Sequence, residues 1–260
     1  MTKISIYLNK SIEENAGIYF DKAKKMKKKI VGAKEALAKS EKKLADLLKK
    51  KDKELKKLES EKTIAREKKW YEKFRWFISS EGFLVIGGRD ATSNEIVIKK
   101  HTEKKDLVFH TDMVGSPFFV IKSEGRKIDE KTIKEAADAT VTFSRAWKLG
   151  LTSTPTFWAK PEQFSKEAPS GEYVPKGGFT TKGKLEYVEN EINLAMGITK
   201  DGAIMAGPVN AVKKNCEKYV QLEQGKEKTS QTAKQIKHKF GGDLDEIVRA
   251  LPAGGCRVKK

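Results

Sequence analysis

The 260-residue chain reads as an α+β protein: a basic helical coiled-coil arm over residues 1–75, followed by a mixed, mostly antiparallel sheet domain with packed helices over residues 76–260. Three observations predict this class. Apolar residues recur at alternating spacings of four and three from Ile12 to Leu47, the seam of a left-handed coiled coil. Short β-rich runs separated by turn residues crowd the stretch from Phe83 to Ile121, which leaves no room for crossover helices and makes the strands antiparallel. Charge is unevenly placed: of a net +18, residues 1–70 carry +11 and the rest +7.

Composition narrows the function classes. A hydrophobic content of 38%, a charged content of 35% and a mean hydropathy of −0.61 suit a domain with a solvated extension better than one large globule. The pI near 9.6 points to a polyanionic partner, because Lys and Arg that neutralise phosphates release counterions. A merely solvated arm would need a more even balance of opposite charges than this one has. Two cysteines and three histidines provide neither a metal-binding cluster nor a disulfide framework, which suits a reducing compartment. No signal peptide opens the sequence and no apolar run approaches the roughly 18 residues of a membrane span. The expectation is a soluble, cytoplasmic protein with no cofactor and no membrane partner.

In order, Ile4 to Leu8 forms a short strand-like piece, and the seam then runs through Ile12, Ala16, Tyr19, Ala23, Met26, Ile30, Ala33, Leu37, Ser40, Leu44 and Leu47. It lapses in KKKDKE and resumes irregularly at Leu55, Leu58, Ile64 and Ala65 before an aromatic cluster (Trp70, Tyr71, Phe74, Trp76, Phe77) that is expected to end the helix. An unbroken helix would extend roughly 100 Å. A hairpin turning near Lys50 to Asp52 would cover its own seam and is favoured, although no Gly or Pro marks the turn. Heptads most often pair helices, so a homodimer through the coiled coil stands beside polyanion binding as a use of the arm.

The sheet domain is expected to begin with a strand from Phe83 to Ile86, which delivers Gly87 and Gly88. These allow unusual backbone angles or a close approach, and Arg89 and Asp90 follow. A second strand is read at Asn94–Lys99, and two more at Leu107–His110 and Phe118–Ile121, with His110, Asp112, Gly115 and Lys122 grouped around the loop TDMVGSP. Asp129 caps a helix with the apolar face Ile133, Ala136, Ala137, Thr140, Val141 and Phe143, and Arg145 and Lys148 fall in its last turn. Lys148 is read as a dipole complement, Arg145 as a candidate contact. A strand at Thr152–Lys160 carries Trp158, and a loop from Pro161 to Gly178 holds Pro169 and Pro175. Near that loop, Lys176, Lys182 and Lys184 are available to phosphates, while Tyr173 and Phe179 serve either as stacking platforms or as core plugs. The remainder is a strand pair (Glu191–Gly197, Ala203–Ala206), a strand at Tyr219–Glu223, helices at Thr229–Lys239 and Leu244–Leu251, and the tail LPAGGCRVKK.

No catalytic motif is present. GGRD lacks the third glycine, and by this reading the following helix, of a dinucleotide fingerprint. Asp90 and Asp112 are read as turn-capping or salt-bridging groups rather than a carboxylate pair. The chain is not expected to be an enzyme.

The runs GFLVIGGRDATSNEIVIKK, FHTDMVGSPFFVIK and KTIKEAADATVTFSRAW resemble the RNA-binding portion (NFACT-R) of the NFACT family, the NEMF/RqcH-type ribosome quality control factors. NKSIEENAGIYFDKAKKMKKKIVGAKEAL resembles the start of that family's middle coiled coil, and the likeness continues through GEYVPKGGFTTKGK to LPAGG. The family's large amino-terminal NFACT domain and helix-hairpin-helix segment have no counterpart in these residues, and two readings stand: a natural fragment that works with a separate protein supplying that domain, or a piece of a longer protein. The resemblance implies tRNA and the large ribosomal subunit as partners, in support of mRNA-independent extension of stalled nascent chains. It places RNA contact on the glycine turn (Gly87, Gly88, Arg89, Asp90) and on the loop group His110, Asp112, Gly115 and Lys122, and the expected contacts are completed by Arg75, Asn94, Arg145, Lys176 and Lys182. A coiled-coil protein-interaction scaffold is the alternative.

Overall fold

A computed structural model describes residues 4–60, 66–168 and 173–259. The chain divides into two compact units, residues 1–65 and 66–260. Among the described residues no helix is long and apolar enough to cross a membrane.

The first unit is built on one helix, α1 (Ile12–Ser60), of 49 residues or about 73 Å. It starts at a reciprocal cap: Glu14 N donates to Ser11 Oγ at 3.2 Å, and Ser11 N donates to the Glu14 carboxylate at 2.8 Å. The expected hairpin is not formed, because the helix runs straight through Lys50 to Asp52, where Lys, Asp and Glu sustain it and nothing breaks it. Ile12, Met26, Ile30, Leu37 and Leu44 each expose more than half their surface, so the seam lies open along the helix. Ile64 and Ala65 of the second stripe, and the side chains of Leu55 and Leu58, lie outside the described residues. Nor is the piece at Ile4 to Leu8 a strand. Buried Asn15 ties it to the helix instead, accepting from Tyr7 N at 2.8 Å and donating to Tyr7 O at 3.0 Å.

The second unit opens with the aromatic cluster, which does not end the long helix. Trp70–Lys73 make a single 3-10 turn, and Trp76 and Phe77 sit in the first strand. Six strands form one wholly antiparallel sheet in the order β1 (Arg75–Ile78), β2 (Leu84–Gly87), β4 (Phe119–Ile121), β3 (Leu107–Thr111), β5 (Thr156–Ala159), β8 (Glu186–Val188). The long loop between β5 and β8 contains a two-stranded ribbon, β6 (Phe164–Ser165) with β7 (Thr180–Thr181); Pro169 lies outside the described residues. A second antiparallel sheet has the order β10 (Ile204–Gly207), β9 (Leu194–Thr199), β11 (Cys216–Gln224), β12 (Cys256–Val258). The sheets meet where Phe77 covers Gly207: a Cβ there would lie 2.8 Å from the Phe77 ring. One apolar core then runs through both.

Where a strand was expected at Asn94–Lys99 there is a helix, α2 (Ala91–Lys100). The run of β-branched Ile96, Val97 and Ile98 favours a strand locally, but Asp90 caps the helix by accepting from Ser93 N at 2.8 Å, and burial of Val97 completes it. Helix α3 (Glu130–Thr142) starts at Asp129, which accepts from Thr132 N at 2.8 Å, and lies across β3, β4 and β5. Arg145 and Lys148 are not in its last turn. Ser144 caps a separate short helix, α4 (Arg145–Leu149), which Gly150 ends in the left-handed region at φ +73°. Helices α5 (Val209–Asn215), α6 (Thr229–Phe240) and α7 (Leu244–Ala250) complete the unit.

Candidate nucleic-acid interface

The loops at one end of the six-stranded sheet surround a groove of about 760 Å³. Its first wall is the turn between β2 and α2. Neither Gly87 nor Gly88 needs a left-handed backbone; both are required for close approach. A Cβ on Gly87 would lie 2.5 Å from the Phe119 ring, and one on Gly88 only 1.8 Å from Asn94 Oδ1. Asn94 is buried and its Oδ1 accepts from Phe118 N at 3.2 Å, so it braces the wall rather than facing solvent. The turn delivers Arg89, whose guanidinium donates to Phe74 O at 3.0 Å. Ser93 Oγ accepts from the backbone N–H groups of Arg89 and Asp90, and backbone N–H donation from Ser93 holds the Asp90 carboxyl below its usual range.

The second wall is the loop after β3. Gly115 takes φ +88°, and Val114 stands 84% exposed at the tip. His110 stacks on Phe118 with ring centroids 4.1 Å apart, and burial pushes its imidazole down to about 4, which leaves the ring neutral at pH 7. The third wall is α4, which places Arg145 and Lys148 on the groove. The fourth is the segment 175–178. Gly177, at φ +82°, presses so closely on α2 that a Cβ would lie 2.5 Å from Ala91 Cα, and its N–H donates to Glu95 at 3.1 Å. Lys166 pairs with the same carboxylate at 2.7 Å, which holds it down to about 2. This docking carries Lys176 over the groove.

Arg75, on β1, reaches the floor. It lies over the Phe143 ring at 4.3 Å and donates to Leu251 O at 3.3 Å. Burial, then the neighbouring Arg89, lowers its guanidinium to about 9. Burial and then Arg249 lower Arg89 in turn. Five cations therefore line the groove (Arg75, Arg89, Arg145, Lys148, Lys176) against one carboxylate, Asp90, which is occupied as a helix cap.

Three of the expected contacts lie elsewhere. Lys122 was grouped with His110 and Gly115, but in the pairing of β3 with β4, Ile121 faces Leu107, which puts Lys122 at the opposite end of the sheet. Its ammonium is buried against Asp106, with Glu103 at 3.0 Å. Asp112 is outside the groove and accepts from Tyr187 Oη at 3.3 Å. Lys182 pairs with Glu167 at 2.7 Å on the β6–β7 ribbon, and Lys184 pairs with Glu186 at 2.8 Å. Phe179 is a core plug, edge-on to Phe118, whereas Tyr173 is 83% exposed. Sequence reasoning assigned Lys148 to its helix dipole and missed Val114. It also gave no role to Arg249, which no local motif marks and only tertiary packing brings near Arg89.

Fold and site together are those of an α+β domain with a basic groove, the charge pattern that favours a polyanionic ligand. Residues 73–183 match the family described as NFACT protein RNA binding domain. The Archaeal Rqc2 homolog aRqcH of Methanocaldococcus jannaschii is 43% identical over 78% of this chain and 31% of its own. The ribosome quality control complex subunit NEMF homolog of Drosophila melanogaster is 36% identical, over 76% and 20%, and NEMF of Homo sapiens 37%, over 67% and 16%. The chain belongs to the NFACT family, and it spans about a third or less of the length of these relatives.

Proposed function

We propose that residues 66–260 bind RNA by laying a strand or loop along the groove, with phosphates on Arg89, Arg145, Lys148 and Lys176 and an unpaired base against Val114 and the His110–Phe118 stack. The observation that carries this reading is the five-to-one excess of cations over carboxylates in a groove whose loops are held by glycine contacts. The relatives' names place them in ribosome quality control, which supports tRNA and the large ribosomal subunit as the RNA partners and the cytoplasm as the setting. In that setting the chain positions RNA and performs no chemistry of its own. The open seam of α1 favours a second use, pairing with a helix of another copy or of a partner protein.

Titration of labelled tRNA, with single-stranded and duplex RNA controls, tests the reading on the whole chain and on a version starting at Arg66. Arg145→Gln is expected to weaken tRNA binding and to flatten its dependence on salt by about one phosphate contact. Binding that disappears with the arm, or that ignores Arg145, would move recognition to the helix.

A further inference from the structure

Arg75, Arg89 and Phe143 line not only the groove but also a separate chamber of about 310 Å³, with Trp70, Lys73 and Arg249 among its other walls. The chamber's carboxylates are already engaged. Glu72 is held by both terminal nitrogens of Arg66 at 2.7 and 2.6 Å, and Glu246 by Arg66 at 3.1 Å and Lys68 at 2.7 Å. Lys69 is paired with Asp201 at 2.9 Å. Among the described residues, Lys73, Arg75, Arg89 and Arg249 have no carboxylate within 4.0 Å. Arg89 Nε is buried there without a hydrogen-bond partner, although a buried guanidinium nitrogen ordinarily has one. Trp70 is half exposed, one indole face stacked on His101 at 4.5 Å.

Cations without counter-charges, an unanswered donor and an exposed indole beside them match a phosphate joined to an aromatic base. The volume is at the lower end for small-ligand sites, enough for one nucleotide but not for a strand that enters and leaves. We infer that this chamber is a nucleotide pocket that takes a phosphomonoester-bearing nucleotide, its phosphate between Arg89 and Arg249 and its base toward Trp70. A monoester answers more of the uncompensated charge than the single negative charge of an internal diester. The nucleotide is either a free one or the phosphorylated end of RNA lying in the groove; only the second source rests on the RNA-binding reading.

Tryptophan fluorescence of the whole chain, titrated with AMP, adenosine and inorganic phosphate, reads the chamber. Labelled single-stranded RNAs ending in phosphate or hydroxyl read the source. AMP is expected to give a saturable change that adenosine does not. Arg249→Gln, at an exposed position outside the groove, should weaken AMP about tenfold or more, while Arg145→Gln, outside the chamber, leaves it unchanged. RNA ending in phosphate that binds about tenfold tighter than its hydroxyl counterpart, an advantage lost in Arg249→Gln, makes the RNA end the source. Equal RNA affinities with saturable AMP make it a free nucleotide. The pocket is refuted if AMP does not bind, or if Arg249→Gln binds AMP as well as the parent. Failure of the RNA reading shows separately, as absence of RNA binding by the parent chain whatever AMP does.

Discussion

Gly177 sits against Ala91 with no space for a side chain: a Cβ would approach Ala91 Cα to 2.5 Å, at a backbone angle of φ +82° that other residues resist. The contact joins two segments far apart in sequence and holds Lys176 over the groove. Gly177→Ala is therefore expected to lift the segment 175–178 off α2, costing about 1–3 kcal/mol of local stability. Hydrogen exchange at the Gly177 amide, whose N–H now donates to Glu95, should accelerate, and RNA affinity should fall by about tenfold. Unchanged exchange would show that the loop does not depend on this contact.

Lys122 separates structure from binding. Its side chain is 9% exposed against a fully buried Asp106, so Lys122→Met strands a buried carboxylate and is expected to cost about 3–5 kcal/mol in urea unfolding. The same variant, once folded, should bind RNA as well as the parent does. A loss of affinity without a loss of stability would return Lys122 to the interface.

His110 predicts a pH dependence. Its folded-state pKa is lowered from 6.5 to about 4 by burial, so the unfolded chain binds the extra proton between those values and stability falls as pH drops through that window. Between pH 7 and pH 5 the loss attributable to His110 is about 2 kcal/mol. His110→Gln should remove that part of the slope, measured as urea midpoints at the two pH values. An equal slope in the variant would assign the effect to other groups.

Much of this architecture was legible where the local signal agreed with the tertiary outcome. Asp129 and the apolar face behind it gave α3 its start and its buried side, and the strand pair read at Glu191–Gly197 and Ala203–Ala206 corresponds to the paired β9 and β10. Local and tertiary preferences conflicted at Ile96–Ile98, where a capping carboxylate outweighed β-propensity, and at Lys50–Asp52, where an amphipathic pattern lapsed although the backbone remained helical. Strand β12 and helix α5 carry little periodicity and exist because a sheet edge or a core face was available to them. The glycine turn pointed to Arg89 and the basic loop to Lys176. Arg75 and Arg249 were beyond sequence reasoning as partners of Arg89, because nothing local to either residue reports the other's position.

The indole N–H of Trp147, on the helix that presents Arg145, donates to Gly255 O at 3.0 Å, and Ala253 lines the groove beside it. The order of synthesis thereby becomes a constraint on the site. Walls made from residues 88 to 179 are translated long before the segment that braces them, so a nascent chain can pair its first sheet but has no finished groove until Gly255 has emerged. Until then the helix that carries Arg145 is held by its Ser144 cap and its packing on α3, without the Trp147 brace.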